Sequence, residues 1–253
     1  SDGKLNTGVN NPRISWVLEQ FVAAGAREDI LFDAKPHVGT DVLLTVVQNI
    51  RKRIISLGGE VRFNTRVTGI CSENGRVTGL KLENGEILPC EKVVLAIGHS
   101  ARDTFEMLEG MSVPMEPKPF AMGVRIEHKQ SLIDISQYGC GNPALPPADY
   151  KLVRHLEDAT VYTFCMCPGG YVVAAASEAG RLVTNGMSYA DRDGENANAA
   201  LLVTVNPSDL PGEGPLAGMY WQQEIEETAD RVGGGGYKAP AQKVGDFLSG
   251  IPS

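Results

Sequence analysis

The sequence has 253 residues, 42% hydrophobic and 21% charged, with a formal net charge of −8. That length suggests one or two domains with a substantial core, and the acidic balance argues against the phosphate backbone of a nucleic acid as partner. No apolar run approaches the roughly 20 residues of a membrane helix, and no secretory n-region and h-region opens the sequence, so no membrane association is expected. The cysteines at 71, 90, 140, 165 and 167 form an odd, scattered set. A disulfide framework is therefore not expected, and a reducing compartment, the cytoplasm, is.

In chain order, the first eleven residues are polar and glycine-containing, hence a loop. Asn11 as N-cap and Pro12 as first helical residue predict a helix, whose apolar face is Ile14, Val17, Leu18, Phe21 and Val22 and which ends before Gly25. A second helix is predicted from Thr40 as cap, with Leu43, Val46, Val47, Ile50, Ile54 and Leu57 as its buried stripe and Gly58-Gly59 as terminator. A strand is expected from Glu60, where Val61-Arg62-Phe63 alternates. Asn74-Gly75 and Asn84-Gly85 each suit a type I′ hairpin turn, because both central positions need positive φ. These hairpins feed Lys92–Gly98, whose continuously apolar centre reads as a strand buried on both faces. A helix is then expected from His99 to Asp103 onward, with Ser100 and Asp103 resembling a capping box and its N–H groups offering a place for an anion.

Three prolines between Met111 and Pro119 read as a crossing between domains. Strands are expected over Ala121–Glu127, Thr160–Met166, Tyr171–Ala176, Leu182–Asn185 and Ala200–Val205, with a turn-rich loop over 139–147 and a helix over Pro215–Val232. Gly139-Cys140-Gly141-Asn142-Pro143-Ala144 fits G-x-G-x-x-A on paper, but its proline cannot open the helix that a nucleotide fingerprint needs. Gly212-Glu213-Gly214 would set a carboxylate against a pyrophosphate.

Taken together, SDGKLNTG at 1–8, VVLAIGHSARDTFEML at 93–108, FAMGVRIEHKQ at 120–130, FCMCPGGYVVAAASE at 164–178, TNGMSYADRD at 184–193 and APAQKVGDFL at 239–248 resemble bacterial FAD-dependent dehydrogenases of the glutathione-reductase-like superfamily. The resemblance implies an α/β fold with an α+β insertion: a partial two-dinucleotide-binding FAD domain over 1–112, a mainly β substrate domain over 113–232 and a return segment over 233–253. It also implies an oxidoreductase that moves a hydride or an electron pair through FAD to or from a small-molecule substrate, with NAD(P)H as a candidate electron donor. Such proteins carry an upstream G-x-G-x-x-G and a late glycine-rich segment that this sequence lacks. The sequence accordingly reads as an interior fragment, expected to bind FAD poorly by itself. The alternative is a non-catalytic ligand-binding module on the same scaffold.

The resemblance places Asp2, Gly3 and Lys4 beside the flavin ring, where Lys4 would set a cation near the flavin N1 and C2 carbonyl; a solvated lysine is the competing reading. It gives Val67 a main-chain contact to the adenine edge, against a plain core valine, and gives Ala96 and Gly98 close backbone approach to the cofactor, with His99 adjacent and alternatively a capping or packing residue. Cys165 and Cys167 are candidate catalytic thiols, able to form a flavin adduct, donate a proton or exchange with a disulfide. Buried structural cysteines explain the same pair, since C-x-C on a strand strains an internal bridge. His37, His99, His128 and His155 show no metal-type spacing near them, so no metal is expected. Gly169-Gly170 reads as a tight turn beneath a planar ligand. Asn185 and Arg192, with Asn196 and Asn198 in the same polar segment, suit an anionic substrate or else a solvated loop.

Overall fold

Alternation and capping shape the chain locally, and the computed structural model, which describes residues 3–5, 7–139 and 144–252, shows how far each signal carries. The chain divides into two units. One comprises Ser1–Val61, Phe120–Ala175 and Thr184–Val205; the other comprises Arg62–Pro119, Ala176–Val183 and Asn206–Ser253.

In the first unit, α1 (Arg13–Ala23) begins one residue later than expected, with Pro12 and not Asn11 as its flanking residue, while the Asn11 side chain accepts the Arg13 N–H at 3.0 Å. The helix α2 (Thr40–Ser56) has Gly39, not Thr40, as its flanking residue. Ala24, Ala26, Ile30, Val38 and Val46 form a core with Leu18, Phe21, Val22, Leu43 and Ile50 packed on it. The far half of the expected α2 stripe is not buried: Val47, Ile54 and Leu57 are exposed. The residues that cover α2 within this core reach only as far along the helix as Ile50.

The rest of this unit is built on an antiparallel sheet of β4 (Phe120–Lys129), β5 (Val153–His155), β6 (Thr160–Cys167) and β9 (Asn196–Val205), in the order β4-β9-β6-β5. A smaller two-stranded sheet joins β7 (Gly170–Ala175) and β8 (Val183–Ser188), and α4 (Gln130–Tyr138) follows β4. On one side of the main sheet Met166, Ala197 and Ala199 pack with Ile126, Ile133 of α4 and Tyr150. Because side chains alternate along a strand, Cys167 and Asn198, which are register partners, lie on the opposite side. Thus β9 begins four residues before the expected Ala200, and Asn196 and Asn198 are strand residues instead of loop.

In the second unit β1 (Val67–Glu73), β2 (Arg76–Leu82) and β3 (Ile87–Pro89) form an antiparallel meander. Asn74 and Gly75 have φ of 51° and 74°, the type I′ pair expected. At the second turn only Gly85 is positive, and the Asn84 side chain accepts the Glu86 N–H at 3.0 Å, so this turn is not type I′. The segment from Glu60 to Arg66 is not a strand.

Lys92–Gly98 is likewise not a strand among the described residues, and Val94 is 90% exposed. A parallel strand buried on both faces needs ladder partners and covering helices. No named strand pairs with this run.

The helix α3 (Arg102–Gly110) is flanked by Ala101 with no side-chain cap. Asp103 instead bonds Arg66 at 2.8 Å, and Ser100 bonds Ser177 at 2.9 Å. Two helices complete the unit, α5 (Ala217–Val232) and α6 (Val244–Leu248). Arg102, 3% exposed, makes a two-pronged pair with Glu226 of α5 at 2.6 and 2.9 Å and reaches Glu178 at 2.7 Å. Arg181 and Gln223 also bond Glu178. Among the described residues no helix is long and apolar enough to cross a membrane.

Candidate functional site

The site starts from a short pairing near the beginning of the chain. The Leu5 N–H donates to Pro36 O and the Val38 N–H to Gly3 O, each at 3.0 Å, which sets Lys4 opposite His37. His37 pairs through Nε2 with the buried Ser188 hydroxyl at 3.1 Å, and Asp41 accepts the Ala190 N–H at 3.0 Å. The segment carrying Lys4 is therefore fixed through residues 36–41 to the end of β8.

From that anchor the Lys4 ammonium donates to Cys167 Sγ at 3.1 Å and to Cys165 Sγ at 3.7 Å. The ladder between β6 and β9 is irregular from Phe164 to Cys167, and Cys165 takes a left-handed φ of 48°. That bulge is the kind of feature that re-aims a side chain next to a site. Cys167 is fully buried and its thiol donates to the Cys165 carbonyl at 3.4 Å, whereas Cys165 is partly exposed.

Beside Cys167, the fully buried Asn198 accepts from the Arg125 guanidinium through Oδ1, while its Nδ2 has no partner among the described residues. Buried amide donors are nearly always satisfied, so this one marks a place for an acceptor. Gly186 closes over the pair; a Cβ there would run into the Arg125 guanidinium and the Asn198 oxygen. The turn after Cys167 is held by buried Gln130, whose Oε1 accepts the Gly169 N–H at 2.9 Å and whose Nε2 donates to Ala148 O at 3.0 Å.

The structure thus brings Gly3, Lys4, Cys165, Cys167, Gly169 and Gly170 into one unit. The space beside both glycines of the turn is filled by the chain itself: at Gly169, with φ of 52°, a Cβ would strike the Arg192 backbone, and at Gly170 it would strike Met187 O and Cys167. Arg192 lies in the same unit with its Nε buried and without a partner among the described residues. Asn185 is exposed, its side chain accepting the Gly186 N–H at 3.2 Å.

Val67, Ala96, Gly98 and His99 fall in the other unit. Val67 opens β1 opposite Leu82, and Ala96, Gly98 and His99 are exposed. Gly98 has φ of 67° and open space where a Cβ would sit. Asp2 lies outside the described residues, as does most of the G-x-G-x-x-A pattern at 139–144.

Arg125 and Gln130 are the members of this site that sequence reasoning did not single out as functional, and Asn198, read as a loop residue facing an anionic substrate, is instead a buried strand residue. The signal for Arg125 and Asn198 is period two: Asn-Ala-Asn-Ala at 196–199 and Val-Arg-Ile-Glu at 124–127 each alternate small or apolar residues with polar ones, which reads as a strand with a polar buried face.

Helices and antiparallel sheets, with a partly buried cluster of two thiols, an ammonium and an amide donor unpaired among the described residues, make this a mixed α/β protein with a polar cluster in one unit. Residues 119–253, which carry all of that cluster except Lys4, match the family described as FAD-dependent protein, C-terminal domain-like, and the chain belongs to that family. It is also similar, at 53% identity over 252 residues, to an uncharacterized protein of Clostridium beijerinckii. That alignment covers 98% of this chain and 47% of the relative, so the chain spans about half the relative's length.

Proposed function

We propose that the chain belongs to an FAD-dependent oxidoreductase, of the glutathione-reductase-like superfamily, that transfers a hydride or an electron pair to or from a small-molecule substrate. The observation that carries this reading is the family match over 119–253 together with the Lys4 ammonium set 3.1 Å from Cys167 in a partly buried polar cluster. The Asn198 Nδ2 donor, without a partner among the described residues, fits the cofactor chemically, because FAD presents acceptors along its pyrimidine edge.

FAD, when bound, supplies the two-electron acceptor and donor. The chain's own residues bind and tune. Lys4 would supply a cation to balance the negative charge that reduction places on the flavin. Asp2 and Gly3 are proposed for the same task as Lys4, and Val67, Ala96, Gly98 and His99 for holding the nucleotide. Cys165 and Cys167 are the reactive side chains of the centre. Asn185 and Arg192 orient an anionic substrate, and Gly169 and Gly170 keep the turn beneath it close to the strands.

The test is the colour and reactivity of a protein as long as the Clostridium relative. It should purify yellow, and anaerobic NAD(P)H or another reductant should bleach it. A colourless protein that FAD does not reconstitute would overturn the proposal in favour of a ligand-binding module that never turns over a flavin.

A further inference from the structure

Two sulfurs on one ammonium, one reachable from solvent and one not, are arranged for more than packing. A nearby cation favours the thiolate, and thiolate character with access decides which cysteines oxidise. Cys165 is partly exposed and Cys167 is fully buried, and Lys4 contacts both, at 3.7 and 3.1 Å. The left-handed backbone at Cys165 interrupts the β6 ladder there, so this residue is not held in the regular strand geometry that would strain a C-x-C bridge. By contrast Cys71 and Cys90, also partly exposed, have no basic side chain bonded to sulfur among the described residues.

We infer that Cys165 and Cys167 form a hydroperoxide-responsive dithiol with Lys4 as its positioning residue. The Cys165 thiolate attacks one oxygen of the hydroperoxide, the O–O bond breaks, and the departing alkoxide or hydroxide takes up a proton, leaving Cys165 as the sulfenic acid. The Cys167 sulfur then attacks the Cys165 sulfur. The S–O bond breaks and the hydroxyl leaves as water with the Cys167 proton. The two thiols lose two electrons and two protons, and the hydroperoxide becomes one alcohol, or water, and one further water. No flavin takes part, so this inference stands apart from the proposed electron transfer.

The experiment uses the flavin-free 253-residue chain, reduced, exposed to hydrogen peroxide near equimolar amounts and then alkylated. Trypsin releases His155–Arg181, which contains both cysteines and no other. The expected product is that peptide lighter by two hydrogens and closed to alkylation until a reductant is added, formed at least about tenfold faster than oxidation of Cys71 or Cys90. Lys4→Met should slow it about tenfold and Lys4→Arg should restore most of the rate. Cys167→Ser should leave Cys165 trapped as a sulfenic acid that a 1,3-dione captures. The wild-type peptide map decides the matter even where a variant fails to fold. Oxidation of this pair no faster than of Cys71 and Cys90, or advance of Cys165 to sulfinic acid with no bridge, overturns the inference, as does a folded Lys4→Met protein that oxidises at the wild-type rate.

Discussion

Gly169 shows how tightly single positions are determined around the polar centre. It combines a left-handed φ with a backbone neighbour, Arg192, in the space a Cβ would need. Gly169→Ala should therefore destabilise the protein by about 2 to 5 kcal/mol, strain and overpacking acting together, as read from the urea midpoint. Gly75→Ala faces only the left-handed conformation, with nothing near the added methyl, and should cost about 1 kcal/mol in the same measurement. At this scale the sequence exposed the two thiols and the lysine as chemically interesting but not their meeting, because 161 and 163 residues separate Lys4 from Cys165 and Cys167. Asn198 was hidden for another reason. It follows the charged and glycine residues of 191–195 and so reads as the end of a loop, and only its alternation with alanines marks a strand.

Between elements, the ion cluster of Arg102 ties α3 to α5 and to residues 178–181. Arg102→Met would strand two carboxylates, one of them buried, and should cost about 3 to 5 kcal/mol in denaturant unfolding. Burial alone would raise the Glu178 carboxyl, but hydrogen bonds from Arg102, Gln223 and Arg181 outweigh it and hold it down at about 2. In the unfolded chain that group returns to its ordinary value of 4.5, so the stability from keeping it ionised is fully present above that pH and is lost as the pH falls toward 2. Acid unfolding monitored by circular dichroism should show this loss, and Glu178→Gln should flatten it.

The helix α1, the Asn74-Gly75 hairpin and the places of β4 and α5 were legible from local causes, namely apolar periodicity in the helix and turn residues in the hairpin. The run at 92–98 was not. Its apolar continuity is the mark of a doubly covered strand, yet ladder partners are a non-local matter, and here no named strand supplies them.

For the molecule as a whole, family membership rests on residues 119–253, while the loop with Lys4 and the segment around Gly98 lie before that match. A ligand that binds only the folded state at about 100 times its dissociation constant adds about 2.7 kcal/mol. Excess FAD added to the 253-residue chain should give little of that in a thermal shift assay, because the proposed cofactor site draws on a protein about twice as long as the matched segment. A large shift would show that this chain holds the cofactor unaided. The sharpest test of the claim that Lys4 and the thiol centre serve a flavin is the midpoint potential of FAD bound to the longer protein. Lys4→Met should lower that potential by removing a cation that favours the reduced, more negative flavin, while Lys4→Arg leaves it near the wild-type value. A bound flavin whose potential is the same in all three proteins would contradict the claim.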